Sequence, residues 1–224
     1  MSAWQSRSTQ KCAFTLAEVL ITLGIIGVVA ALTIPTLMQS VKNHQKTTSL
    51  KKFYSTITNA IKLSEVENGS CDKWFKAGND TSVENYQQVR VENTRIFFET
   101  YIAPYIKYNN TSNRLEEGIP RFIVSMTDGT EIIMINGGCM DYMYDINGEK
   151  GPNEKGKDRF TFLQCLNEQN IKTYCDSSGK LTFCGYYALV KTRDELLQLC
   201  TENGIYCAGL LQKDDWEFKE DYPY

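Results

Sequence analysis

Histidine is nearly missing from this chain: His44 is the only one in 224 residues. It follows a long apolar run, so the globular remainder holds no imidazole to act as the base of a histidine-dependent triad. No two of the eight cysteines stand at the C-x₂₋₄-C spacing of a zinc site, and a lone histidine cannot make up the ligand set. Surplus positive charge is lacking as well. Lys plus Arg number 24 against 27 Asp plus Glu, a net charge of −3, which argues against a dedicated nucleic-acid binder. A cysteine nucleophile or a pair of carboxylates needs no histidine, yet no constellation of residues identifies either, so the chain reads as a non-enzyme.

The most consequential absence is of charge between Val19 and Val41. Those twenty-three residues, at about 1.5 Å each, rise roughly 35 Å, enough to cross a hydrocarbon core. A secretory signal differs: its apolar region is normally ~7–15 residues, ends in a small-residue cleavage site and has no acid at its start. Here Glu18 stands at the lip of the span. An unpaired carboxylate is costly in lipid, so Glu18 needs headgroup water, the positive end of its own helix, or a cation.

Ahead of that acid lies a basic leader with Arg7 and Lys11, then Cys12-Ala13-Phe14-Thr15-Leu16-Ala17-Glu18. This stretch resembles the cleavage and methylation site of type IV pilins and type II secretion pseudopilins. There, a prepilin peptidase cuts after a small residue and the new amino terminus is methylated. The resemblance implies cleavage after Ala13, which stands where glycine is usual, and methylation of Phe14. Losing residues 1–13 removes Arg7 and Lys11 and shifts the balance from 24 against 27 to 22 against 27, or −5. It also creates an ammonium on Phe14 four residues before Glu18, so the two can pair within a chain or between neighbours. The resemblance implies the second arrangement, with Glu18 setting register in a filament. It also implies loosening of the helix around Pro35, whose missing amide would otherwise bond to the Ala31 carbonyl. Implied partners are other pilin-like subunits, the peptidase, the inner-membrane assembly machinery and membrane lipid.

The lysines do not choose an orientation, since Lys42, Lys46, Lys51 and Lys52 follow the span while Arg7 and Lys11 precede it. Cysteine content and the resemblance both place the head outside the cytoplasm. Removal of Cys12 leaves seven cysteines in the head, a density suited to an oxidising compartment and to three bridges with one thiol over. Cys175 and Cys184, flanking Asp176-Ser177-Ser178-Gly179, are expected to staple a hairpin.

Four segments follow: a leader, 1–13; a transmembrane and assembly segment, 14–41; an amphipathic stalk, 42–69; and a head, 70–224. In the stalk Leu50, Phe53, Tyr54, Ile57, Ala60, Ile61 and Val66 recur at helical spacing until Gly69. One helix from Phe14 to about Asn68 would be roughly 80 Å long. In the head, residues 70–81 and 107–118 read as loops around a second helix, Val83 to Tyr101, presenting Tyr86, Val89, Ile96, Phe97 and Tyr101. Phe122 to Met126 and Glu131 to Ile135 flank Thr127-Asp128-Gly129-Thr130 as a hairpin, with further strands at Met140 to Tyr144 and Phe160 to Leu163. Thr192-Arg193-Asp194-Glu195 is a capping box. The tail holds Trp216 and Tyr222, expected to dock on the head. The economical fold is α+β and pilin-like: a long N-terminal helix against an antiparallel sheet head with disulfides.

The loop between the last two strands offers the hard oxygens of Asp145, Asn147, Glu149, Asn153 and Asp158 among Gly and Pro. Calcium prefers such ligands, although no twelve-residue EF-hand is present. Asx-rich turns of this kind also close on their own hydrogen bonds without metal. The leading functional expectation is therefore a structural subunit of a type IV pilus or type II secretion pseudopilus. The contrasting one is a solitary membrane-anchored enzyme or ligand-binding domain.

Overall fold

The computed structural model describes residues 15–78, 82 and 84–224. Helix α1 runs Leu16–Asn68 without interruption, Pro35 included, and stops where Gly69 takes a positive φ of 75°. The chain divides into two compact units, residues 1–44 and 45–224.

In the first unit α1 is long and apolar enough to cross a membrane. Its large side chains, among them Leu20, Ile21, Ile25, Val28 and Leu32, are all exposed. The hydroxyls of Thr22 and Thr33 return to the carbonyl oxygens of Glu18 and Val29 at 2.9 Å, so neither carries an unpaired donor into an apolar surrounding.

In the second unit the remainder of α1 buries Leu50, Phe53, Ile57, Ala60, Ile61 and Ser64, the stripe expected from helical spacing. Val66 departs from it and is 83% exposed, because Ser64 instead completes the inward face. Helix α2, Tyr86–Tyr101, buries Val91, Thr94, Phe97 and Phe98. Val89 and Ile96, expected inside, are exposed. The inward stripe includes a threonine whose hydroxyl is satisfied by the Arg90 carbonyl at 2.7 Å, so an apolar pattern alone misplaces the face.

Six strands form one antiparallel meander in chain order: β1 Tyr108–Glu116, β2 Ile119–Met126, β3 Glu131–Asn136, β4 Met140–Asp145, β5 Arg159–Gln164 and β6 Phe183–Gly185. The inner face carries Phe122, Val124, Ile132, Met134, Tyr142, Tyr144, Phe160 and Phe162 into one core with α1 and α2. Phe53 stacks on Tyr144 with ring centroids 4.1 Å apart. Full burial of such side chains stabilises by about 1.5–3 kcal/mol each. Strand β1 corrects the loop expected at 107–118. Its Asn-Asn-Thr-Ser-Asn composition disfavours strand locally, but pairing with β2 supplies the ladder, and a polar edge strand resists further pairing.

Helices α3, Glu168–Tyr174, α4, Arg193–Glu202, and α5, Cys207–Lys213, complete the head. Disulfides join Cys139 to Cys165, Cys175 to Cys184 and Cys200 to Cys207, leaving Cys71 as a buried thiol. The Cys175–Cys184 bridge forms as expected, but it does not cross a hairpin. Cys175 caps α3 and Cys184 lies on β6, with Asp176 accepting the backbone amides of Ser178, Lys180 and Leu181 in the turn between them. The capping box at Thr192 and Glu195 is present and starts α4. The tail docks: Trp216 is buried 5.1 Å from the Tyr54 ring, and the Tyr222 hydroxyl donates to the Gly156 carbonyl at 2.6 Å.

Candidate functional site

Two places concentrate the polar chemistry, and the first is the start of α1. Thr15 and Glu18 form a reciprocal cap: the Thr15 amide and hydroxyl each donate to Glu18 Oε2 at 2.8 Å, and the Glu18 amide donates to Thr15 Oγ1 at 3.3 Å. This is the Thr-x-x-Glu logic of a capping box, which satisfies donors that no helical carbonyl can reach. It realises the local reading of Glu18 as complement to the helix end. Among the described residues the cap engages only Oε2 of Glu18, through the neutral amide and hydroxyl of Thr15. Ala13 and Phe14 lie outside the described residues. Pro35 sits inside α1, and the Thr36 hydroxyl donates to the Thr33 carbonyl at 2.9 Å close by.

The second place is the outer face of the sheet. Glu116 ends β1 and Arg159 begins β5, four strands away; in a flat sheet at about 4.8 Å per strand the sideways step alone would separate them by roughly 19 Å. Instead Arg159 Nη1 donates to Glu116 Oε2 at 2.9 Å. The reach is made by the chain: β2 pairs with β3 only over Phe122 to Ser125, so the β1–β2 tip is free to curl across the sheet. Arg114 fastens the same tip, donating to Glu116, Glu131 and Glu149 at 2.8, 2.9 and 2.9 Å. Beneath it Ile123, Ile133 and Met143 are buried.

Asp145 is fully buried, and Arg159 Nε donates to its Oδ2 at 2.7 Å. Burial pushes the Asp145 carboxyl above its usual value against the pull of that guanidinium. Burial acts likewise on Glu116, but the hydrogen bonds from Arg114 and Arg159 outweigh it and hold the carboxyl below the usual value.

The expected calcium ligands can be followed one by one. Asp158 Oδ1 accepts the Glu154 amide at 2.6 Å, and its Oδ2 accepts the Asn153 amide at 2.8 Å and the Asn147 side-chain amide at 3.2 Å. Asp145 accepts Arg159 and the Asn147 amide, while Glu149 turns away to Arg114. The structure thus brings Asp145, Asn147, Asn153 and Asp158 into one loop and leaves Glu149 out. Only Asn147 Oδ1 is buried without a partner there. Both carboxylate oxygens of Asp145 and of Asp158 are engaged by Arg159 or by amides, so the loop as arranged closes on its own hydrogen bonds as an Asx turn. Among the described residues no group of three or more His, Cys, Asp or Glu is placed to hold a metal. We expect the melting temperature of the head to be the same in chelator and in millimolar calcium; a rise with calcium would show that the ion binds the native state and displaces these hydrogen bonds.

The model of a family of unknown function, DUF6613, matches residues 36–224. The chain belongs to this family. No curated protein and no solved structure matches it. The DUF6613 match covers the entire head and begins immediately after Pro35, so the Thr15 and Glu18 cap lies outside it. What the DUF6613 head adds to the sequence reading is the network of Arg114, Glu116, Glu131 and Arg159. Its members are spread over three strands and meet only because the β1–β2 tip curls, and no local spacing announces that. The one local signal is a charged residue at an end of four of the six strands: Glu116 on β1, Glu131 on β3, Asp145 on β4 and Arg159 on β5.

Proposed function

We propose that this chain is a structural subunit of a type IV pilus or type II secretion pseudopilus, processed by a prepilin peptidase and polymerised through its N-terminal helix. The observation that carries the reading is the unbroken helix Leu16–Asn68, exposed and apolar in its first part and buried against a disulfide-bonded antiparallel sheet in its last. A helix of that composition needs lipid before assembly and other apolar helices after it. Three disulfides favour an oxidising compartment, hence a single pass of the inner membrane with the head in the periplasm or beyond the cell. Gly24, Gly27, Ala30 and Ala31 give neighbouring helices room to approach.

The test is mass spectrometry of the mature N-terminus from membranes that contain the peptidase. The expected product begins at Phe14 and carries one added methyl group. Protein that still begins at Met1 or Ser2 would defeat the reading and favour the solitary membrane-anchored domain.

A further inference from the structure

The turn between β3 and β4 gathers charge from several elements. Lys76 Nζ donates to Asn136 Oδ1 at 2.9 Å and to the Gly137 carbonyl at 2.6 Å. Arg90, from α2, donates its Nε to the Asn136 carbonyl at 2.6 Å. Two cations are thus fixed at one turn by neutral oxygens, and the Asp141 carboxylate offsets part of their charge. The Asp141 carboxylate lies against the same turn, since a Cβ on Gly137 would stand 3.6 Å from its Oδ1.

Arg121 approaches from the curled end of β2. It and Asp141 line a cleft of about 640 Å³ over the outer face of the sheet, floored by Ile135, Met143 and Thr161. Among the described residues Arg121 makes neither a hydrogen bond nor an ion pair, although it is half-buried. Facing Arg121 are the carboxylates of Glu117, Asp141 and Glu116, while Asp141 also faces Lys76 and Arg90 and is bordered by Tyr186. Farther along the cleft Lys155 and Arg159 stand among Glu154 and Glu202.

We propose that the Arg121 end of this cleft binds the carboxylate or phosphate group of a small soluble anion, with Arg121 as its forked donor and Lys76 and Arg90 supplying charge from behind. A guanidinium matches such oxyanions with two parallel hydrogen bonds, and a partly dry wall strengthens each. Burial, and then the neighbouring Arg90, hold Arg121 below its usual value, and burial does the same to Lys76; a bound anion relieves both.

Burial pushes the Asp141 carboxyl up to about 7 against the pull of Arg90, Lys76 and Arg121. Ionised, it competes with the anion for those cations; protonated, it does not. Binding therefore tightens as pH falls through that value.

The experiment is calorimetric titration of the full chain in nonionic detergent with inorganic phosphate and, separately, with succinate, at low chloride. Saturable binding of at least one anion in the millimolar range or tighter is expected, weakened at least about tenfold in Arg121→Gln. Asp141→Asn should bind more tightly than wild type near neutral pH and, with succinate, whose charge changes little there while phosphate itself gains a proton, lose the rise in affinity between about pH 8 and about pH 6. A merely structural residue would not improve binding when neutralised. Unchanged melting of both variants shows that they fold. Absence of saturable binding for both anions, or wild-type affinity in a folded Arg121→Gln, overturns the proposal. A response to phosphate alone or to succinate alone supports it and selects the ligand class.

Discussion

Reduction of the head's disulfides is expected to remove most of its stability. Each native bridge is typically worth about 2–4 kcal/mol, against a whole-domain stability of about 5–15 kcal/mol. The three bridges all fall between Cys139 and Cys207, the half of the head with short helices and the three-residue strand β6. Cys139–Cys165 closes the longest loop, at a sequence separation of 26 against 9 and 7 for the others, so its removal should cost most in the chain-entropy account. Cys71 poses little threat of exchange. Burial, together with the nearby Glu65 carboxylate, pushes its thiol up to about 12, and a protonated thiol is a poor nucleophile. Urea unfolding of the processed chain with and without reductant should show a large fall in midpoint. Thiol titration of the unfolded, unreduced protein should return one free cysteine. Coincident midpoints, or seven titrating thiols, would contradict the expectation.

The elements that were legible in the sequence are those whose information is local. Helix α1 is announced by an uncharged run, a helical stripe and Gly69; the β2–β3 hairpin by two apolar runs around a tight turn; α4 by its capping box. Misreadings arose where tertiary partners overrode local preference. Strand β1 is built from turn-forming residues and exists because β2 offers a ladder. The inward face of α2 contains Thr94, which apolar periodicity passes over. The loop of Asp145 to Asp158 is legible as rich in hard oxygens. What they bind was not legible, because Arg159 belongs to the next strand and Arg114 lies more than thirty residues upstream. The cleft at Arg121 is illegible for the same reason: Lys76 from a loop, Arg90 from α2, Arg121 from β2 and Asp141 from β4 share no spacing.

Glu18 carries the prediction with the largest expected effect. Under the proposed function, substituting Glu18→Ala should leave membrane insertion and cleavage after Ala13 intact while the subunit disappears from sheared or pseudopilus fractions. Removing one member of an ion pair within an apolar helix bundle leaves the other, here the Phe14 ammonium, without its partner, and that is the costly half of the change. Alanine also destroys the Thr15 and Glu18 cap, so it cannot by itself separate a frayed helix from a missing charge. Glu18→Gln makes the separation. Glutamine serves at the third helical position of a capping box as glutamate does, so the local hydrogen bonds survive while the charge is lost. If pairing between neighbours sets the register, both variants accumulate in the membrane pool and both are missing from filaments. If the cap alone matters, the glutamine variant assembles normally. Normal assembly of the alanine variant would refute any role for Glu18 in polymerisation and would favour a solitary anchored domain, in which an acid at the lip of the span has only its own helix end to serve.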